Sequence, residues 1–356
     1  MKIAIIGAGV AGLSCAFELE KNGISPVIFE KKKMIGLEPG FATILMTIFV
    51  RHTEDPLKFI LNQYGLKLEP ISMLKQTVAI SENKTVNAKG NLGYIFKRGL
   101  EKYSLENQIA SYLKTPITFN TEIDINQIRN DYDHIVVASG NSYISKKLNV
   151  WTDTFVARSR VATVLGDFDI SKAKIWFNTN YCEQGFGFLI PHSPKEATLA
   201  LVVNDFTNTT LDFFWEKFIK IENIQYCIIQ RSDIDSSCGF VSSFKNNNIY
   251  LVGTAAGFVD DVIGVGSFNA IESGIFAAQS IINGYDYNQM VRPMEDDMIK
   301  LHEIRKAINK FGNGDFDNFL SLIGIPGINQ LIYNVPFVKA SQGSILAKLY
   351  NKINTI

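Results

Sequence analysis

Three glycines and an acid in the first thirty residues have types and spacing that imply chemistry. The glycines stand in the run Gly7-Ala8-Gly9-Val10-Ala11-Gly12, and Glu30 lies 18 residues beyond the last of them. Gly7 permits a tight turn, Gly9 lets backbone approach a pyrophosphate, and Gly12 lets a helix pack closely on a strand. A helix that starts here presents free N–H groups and a partial positive charge to phosphate. Glu30, with Lys31 beside it, would bring a carboxylate to the adenosine ribose hydroxyls. The implied chemistry is binding of an ADP-containing dinucleotide, with NAD and FAD equally admissible.

Those residues need a strand, a helix and a second strand to position them. The apolar run Ile3–Ile6 leads into the motif, a helical pattern continues to Asn22, and Val27–Phe29 forms a second run ending on Glu30. Further along, Asp55–Tyr64 and Ser104–Leu113 read as helices, and Gln76–Ile80, Ile117–Asn120 and His134–Ala138 as strands. A β-rich stretch follows from about Phe155 to Ser243, interrupted by a helix at Leu211–Ile221. From Asn288 onward the pattern is helical, with breaks near Gly312–Gly314 and at Pro326-Gly327.

A second constellation lies at residues 249–274. A strand delivers Gly253-Thr254, the small turn Ala255-Ala256-Gly257 follows, and Gly264-Val265-Gly266 opens the long helix Ser267–Asn283. The small turn would let main chain press on a cofactor, and the helix start would offer N–H groups to an anion-forming group. In a flavoprotein that group is the pyrimidine edge of the isoalloxazine, where charge develops on reduction. The expected architecture is therefore α/β: a discontinuous nucleotide domain (1–75, 98–150 and 245–285), interleaved with a β-rich substrate domain (76–97 and 151–244). A helical region, 286–356, completes it.

Composition narrows the function further. The 356 residues carry 35 basic and 35 acidic side chains, so no net field attracts nucleic acid or an anionic membrane. Cys15, Cys182, Cys227 and Cys238 form no CxxC, which argues against dithiol chemistry and fits a reduced, cytoplasmic compartment. No metal-ligand spacing, Ser-His-Asp arrangement or P-loop is visible. With the first strand starting at residue 2, no secretory leader is expected. The most apolar window, Phe41–Val50, is too short to span a bilayer, which takes about 20 residues. It reads most simply as a buried segment, and alternatively as a pocket wall or flap. The apolar stretch Phe316–Val338 could pack, or could dock peripherally on a membrane. There is no second GxGxxG, so NAD(P)H or another reductant would have to visit the single existing site.

Together these segments resemble the FAD-dependent oxidoreductases with the p-hydroxybenzoate hydroxylase fold, most of all the geranylgeranyl reductase family. That family's flavin motif, Gly-Asp-Ala-Ala-Gly-Phe-Val-Asn-Pro-x-x-Gly-Glu-Gly, is followed in register by residues 253–266. The resemblance turns the dinucleotide into FAD and implies that Arg98 contacts the flavin. Three departures stand out. Thr254 replaces the ribityl-binding Asp, Ser139 (in Ala138-Ser139-Gly140) replaces an Asp of related hydroxylases, and Asp261 replaces Pro. Thr and Ser bond a ribityl hydroxyl only as neutral partners. Asp260 and Asp261 are the nearest substitutes, although a solvated loop is the simpler expectation for them.

In the strand GFGFLIP, Phe186, Phe188 and Ile190 share one face. The resemblance makes them walls of an apolar substrate channel; by spacing alone they would be core. His192 follows Pro191. It reads as a surface residue at a strand end, with a role as proton donor the alternative. His52, His134 and His302 have no motif context. The reaction that the resemblance implies is hydride transfer from reduced flavin to a C=C bond of an apolar, isoprenoid-like substrate. A flavin monooxygenase on the same fold is the runner-up, and a non-catalytic nucleotide-binding protein the third reading.

Overall fold

The computed structural model describes residues 1–36, 40–50, 52, 54–204 and 210–325; the break expected at Pro326-Gly327 and the apolar stretch beyond 325 lie outside them. The chain opens with β1 (Ile3–Ile6), α1 (Val10–Lys21), β2 (Val27–Phe29), β3 (Phe41–Met46) and α2 (Pro56–Tyr64). Then come β4 (Ser72–Ile80), β5 (Thr85–Arg98), α3 (Leu105–Ala110), β6 (Ile117–Thr118), α4 (Ile125–Ile128), β7 (His134–Val137) and α5 (Tyr143–Lys147). The central part holds β8 (Trp151–Leu165), β9 (Lys172–Trp176), β10 (Phe186–Pro191), β11 (Glu196–Asn204), α6 (Leu211–Ile221) and β12 (Cys227–Val241). It closes with β13 (Lys245–Asn246), β14 (Ile249–Leu251), α7 (Ser267–Asn283), α8 (Tyr287–Ile308) and α9 (Asn313–Ile323).

Two sheets organise these elements. The smaller has the order β13-β14-β7-β1-β2-β6, and all its pairings are parallel except β13 with β14. All four residues of β1 are buried, as a strand covered on both faces requires. Because β14 pairs with β7, the chain leaves this sheet near residue 137 and returns at 245. The interleaved architecture is the one expected. Helix α1 is apolar or small on nearly every side because α7 covers the flank that the sheet leaves. A Cβ on Gly274 of α7 would meet the Ala11 carbonyl oxygen at 2.2 Å, so the two helices touch backbone to backbone.

The larger sheet has the order β12-β8-β11-β10-β9-β4-β5-β3, antiparallel except where β4 meets β9. It curls until its edge strand β3 reaches β8, β10 and β11. The Ala42 N–H donates to Thr198 Oγ1 at 2.8 Å across that curl. Inside it Ala42, Leu74, Leu92, Ile95 and Ile190 pack together. Outside, Leu211, Trp215 and Phe218 form the helical stripe of α6 and cover Leu199 and Leu201.

Two boundaries differ from expectation. Phe41–Met46 and the strand from Ser72 belong to the larger sheet, because β3 and β4 both pair with β5. Phe41–Val50 is also only half-buried, with Ala42, Leu45 and Val50 its buried members. Its outer strand edge and the 3-10 turn that follows leave side chains free to wall a cleft. The wall reading, not the buried-segment reading, describes it.

Candidate cofactor site

The nucleotide end is built almost wholly from backbone. Gly7 has φ +108°, and a Cβ there would lie 2.3 Å from the Ala138 carbonyl oxygen. Gly12 is equally confined, with its Cβ position 2.1 Å from the Gly7 carbonyl oxygen. Gly9 is different: a Cβ there would meet nothing within 4 Å, so the space beside it is open. Gly9 caps α1 without a side-chain bond, and the helix ladder starts only at Leu13, whose N–H reaches the Gly9 carbonyl at 2.9 Å. The N–H groups of Val10, Ala11 and Gly12 are left for a ligand. That is the cradle a pyrophosphate needs.

Glu30 is held beside it. Its carboxylate accepts from the Ala8 N–H at 2.8 Å and the Lys32 N–H at 2.9 Å, one bond to each oxygen. A carboxylate offers about four lone-pair sites, so two remain for ribose hydroxyls. Lys31 is exposed. Ser139 adjoins Gly7, and its hydroxyl donates to the Asn141 carbonyl at 3.0 Å, closing its own turn at Gly140 (φ +69°).

The second motif meets the first at Ala11. The Gly253 Cβ position lies 3.0 Å from the Ala11 Cβ, and the Gly253 N–H donates to Ser273 Oγ at 2.9 Å. Thr254 follows, half-buried, in the 3-10 turn Gly253–Ala256. Gly257 has φ +78° and presses on β12: its Cβ position is 2.2 Å from the Gly239 carbonyl oxygen. Its demand for glycine therefore comes from protein packing rather than from a cofactor's approach.

Asp260 and Asp261 correct the expectation of a solvated loop, since both are buried. Asp260 accepts from the N–H groups of Val262 (2.9 Å), Ile263 (2.8 Å) and Val265 (2.5 Å). Burial pushes its carboxyl up to about 6, against the pull of those bonds and with help from Asp261. The Val265 N–H, expected on the flavin, is thus spent on Asp260, as are Asp260's own oxygens that might have served the ribityl chain. What remains is the start of α7. Gly266 caps it without a side chain, and Ala270 makes the first ladder bond, leaving the N–H groups of Ser267, Phe268 and Asn269. Gly264 (φ +77°) has open space at its Cβ position.

This helix start faces a cleft. Leu45, Met46, Phe49 and Val50 form one wall; Val265, Gly266, Phe268 and Asn269 form the other, and Asp260 and Met298 close it. Bare N–H donors opposite apolar side chains suit an isoalloxazine, whose pyrimidine edge gathers charge on an apolar ring system. In the chemistry of their donors and lining, both halves of the site suit FAD.

Other expected residues sit nearby in different roles. Arg98 pairs through Nε with the buried Glu106 carboxylate, which fixes the guanidinium at the end of β5. Phe186 and Phe188 lie 6.2 Å apart on the inner face of the curl, with Ile190 packed in the core there. None of the three lines the cleft. His192 is buried rather than on the surface: it lies in the turn from β10 to β11, against Lys97 near the end of β5. Its Nε2 lies 3.4 Å from Lys97 Nζ, and burial, then Lys97, pulls its pKa down to about 4. A neutral imidazole that accepts from Lys97 through Nε2 keeps only the weakly acidic Nδ1–H, and so is a poor proton donor near neutral pH.

Several side chains escaped the sequence. His302 of α8 bonds Asp261, and His52 bonds the fully buried Glu272 of α7 at 2.8 Å while stacking on Phe59. Arg305 of α8 is 1% exposed. Only the unusual Asp at 261 hinted at any of them.

Comparison with known proteins agrees with this geometry. Residues 1–155 match the sequence profile of the pyridine nucleotide-disulphide oxidoreductase family. The chain is 23% identical to digeranylgeranylglycerophospholipid reductase 3 of Methanosphaera stadtmanae, over 92% of each chain. Among solved structures, a geranylgeranyl bacteriochlorophyll reductase-like protein from Thermoplasma acidophilum superposes with a TM-score of 0.75. It is 16% identical, over 99% of this chain and 98% of that one. A p-nitrophenol 4-monooxygenase from Pseudomonas putida gives 0.67 at 12% identity, over 95% and 97%. The fold is that of the flavin-dependent oxidoreductases.

Proposed function

We propose that this chain is an FAD-dependent reductase of a C=C bond in an apolar, isoprenoid-like substrate. The observation that carries the reading is the cleft: unsatisfied N–H groups of Ser267–Asn269 opposite an apolar wall of Leu45, Met46, Phe49 and Val50. Bound there, FAD would supply the hydride, taken in turn from NAD(P)H or another reductant, and water or an acid of the site would supply the proton that completes the new C–H pair. The protein's part is holding, orienting and drying the site. Gly9, the start of α1 and Glu30 hold the ADP half; Thr254 and the start of α7 hold the rest. Phe268 and Met298 extend the apolar wall and exclude water. Phe186, Phe188 and Ile190 would give the chain of the substrate a further apolar face. A lipid substrate would be met by peripheral contact of a cytoplasmic protein with a membrane. Among the described residues no helix is long and apolar enough to cross one.

The deciding experiment is a visible spectrum of the purified protein, extraction of its cofactor, reduction by dithionite and reoxidation by a geranylgeranyl lipid. Yellow protein reoxidised by the lipid under anaerobic conditions supports the reading. A protein that stays colourless with added FAD defeats it and favours a non-catalytic nucleotide binder. The similarity to a monooxygenase favours a second reading, hydroxylation of the substrate. Oxygen consumption matched by hydroxylated product, without anaerobic reoxidation, would establish it.

A further inference from the structure

Helix α8 ends in a buried polar cluster that neither motif accounts for. Asp261, which stands where the resembling family has Pro, is 5% exposed, and its Oδ2 lies 2.7 Å from His302 Nδ1. The His302 ring also meets Phe240 of β12 edge-on, with centroids 5.4 Å apart. Three residues on, and so on the same helical face, Arg305 donates through Nη2 to the Gln184 carbonyl and lies over the Phe155 ring at 3.9 Å. Gln184 is clamped from every side. It holds a left-handed φ of +55°, its Nε2 donates to the Asn309 carbonyl at 3.3 Å, and its Oε1 accepts from Asn204 at 2.6 Å.

One short stretch of α8 therefore bonds both the flavin-motif loop and the turn that leads into β10. Desolvating this cluster is costly. Asp261 Oδ1 and Arg305 Nε are buried without a partner among the described residues. Burial also pulls the Arg305 guanidinium down to about 10, partly offset by Asp261, Cys238 and Asp260. A Pro at 261 would stiffen the loop from within. An Asp there needs a partner from outside, and α8 provides it.

We propose that Asp261, His302 and Arg305 are positioning residues: through them α8 holds the loop Asp260–Gly266, and with it the start of α7, at a fixed distance from the larger sheet. This rests on the cofactor reading only for its consequence, tighter retention of FAD. The loop's order can be read without any cofactor.

Hydrogen–deuterium exchange of the full chain tests it. In His302→Ala the N–H groups of Val262, Ile263 and Val265, which bond Asp260, should exchange at least tenfold faster, while β1 and β7 keep their rates. His302→Asn, whose amide nitrogen takes the place of Nδ1 and can still donate to Asp261, should return the loop to within threefold of the parent. Titration with FAD, followed by flavin fluorescence, should show affinity about tenfold weaker in the Ala variant and restored in the Asn variant. Unchanged exchange in the loop overturns the proposal, as does a rise spread evenly over the chain, which would mean general destabilisation. Should the Ala variant fail to fold, Asp261→Leu keeps the side-chain shape and removes the acceptor of the His302 bond. Its loop should exchange at least threefold faster, and parent-like exchange there overturns the proposal equally. If the parent itself takes up no FAD, the cofactor reading fails, and the exchange data still decide the role of α8.

Discussion

The two ends of the proposed cofactor site are made differently. The nucleotide end is backbone pressed on backbone: Gly7 against Ala138, Gly12 against Gly7, with the single carboxylate of Glu30 tied to two N–H groups. The flavin end is a loop ordered by side chains, three N–H groups on Asp260 and then Asp261 on His302. The first arrangement tolerates almost no change in shape, because a methyl group has nowhere to go. The second tolerates a change of residue if a distant side chain answers it, which is how an Asp can stand in a Pro position. A break at the first end should therefore cost folding, and a break at the second should cost order and affinity.

The largest effect is expected from Gly12→Val. Its Cβ would fall 2.1 Å from the Gly7 carbonyl oxygen, with backbone on both sides of the clash. A loss of about 3 kcal/mol or more follows, as for severe overpacking. Urea denaturation measures it, and a variant within 1 kcal/mol of the parent, to about the limits of the method, would show that α1 and β1 can separate cheaply.

At the flavin end the expected signature is a pH slope. Asp260 has its folded pKa raised from 3.8 to about 6 by burial. Between those values the unfolded chain binds fewer protons, so stability falls as pH rises from about 4 to 6 and then levels off. Relative to Asp260→Asn, which cannot ionise, the parent should lose on the order of 2–3 kcal/mol across that window. His192 contributes the opposite slope in both proteins: its folded pKa is lowered to about 4, so its stability is lost as pH falls below about 6.5. The difference between parent and variant cancels it. A difference that stays flat with pH would mean that Asp260 is not desolvated.

How much of this was legible follows the same division. The first strand, α1, Glu30 and the helices at 211–221 and 267–283 could be read because local pattern alone specifies them: a buried parallel strand, a glycine turn, an amphipathic stripe. Boundaries failed where partners decide. Phe41–Met46 reads as a buried run, yet it is an edge strand whose fate depends on β5. His192 reads as exposed because nothing local shows that the turn from β10 to β11 lies against Lys97. Val265 lies in register with the flavin motif, where it stands in place of Glu, and its N–H is taken by an Asp five residues earlier. The partner of Asp261, His302, lies 41 residues away on a helix with no motif, so no spacing rule could find it.

Gly9→Ala separates binding from folding at the nucleotide end. Gly9 has φ −87° and an empty Cβ environment, so alanine costs the fold less than about 1 kcal/mol. The same methyl group occupies the space through which a pyrophosphate would approach. Affinity for ADP should drop about tenfold, equivalent to about 1.4 kcal/mol. Calorimetric titration with ADP reads it, and unchanged affinity would place the phosphates elsewhere.

The smallest change sharpens the contrast most. Thr254 is a neutral residue in the position that the resemblance assigns to a ribityl-binding acid. Thr254→Asp should strengthen that contact, since charge-assisted hydrogen bonds are roughly twice as strong as neutral ones. A gain of about threefold in FAD affinity, some 0.7 kcal/mol, is expected, with ADP affinity unchanged because ADP lacks the ribityl chain. If ADP and FAD affinities rise together, the new carboxylate acts through the shared start of α1 at Ala11, and the two ends are one electrostatic unit. If FAD affinity falls instead, the added charge repels Asp260, whose carboxyl is already raised by Asp261. The loop would then have exchanged its ribityl acid for a neutral residue because it had acquired a buried acidic pair of its own.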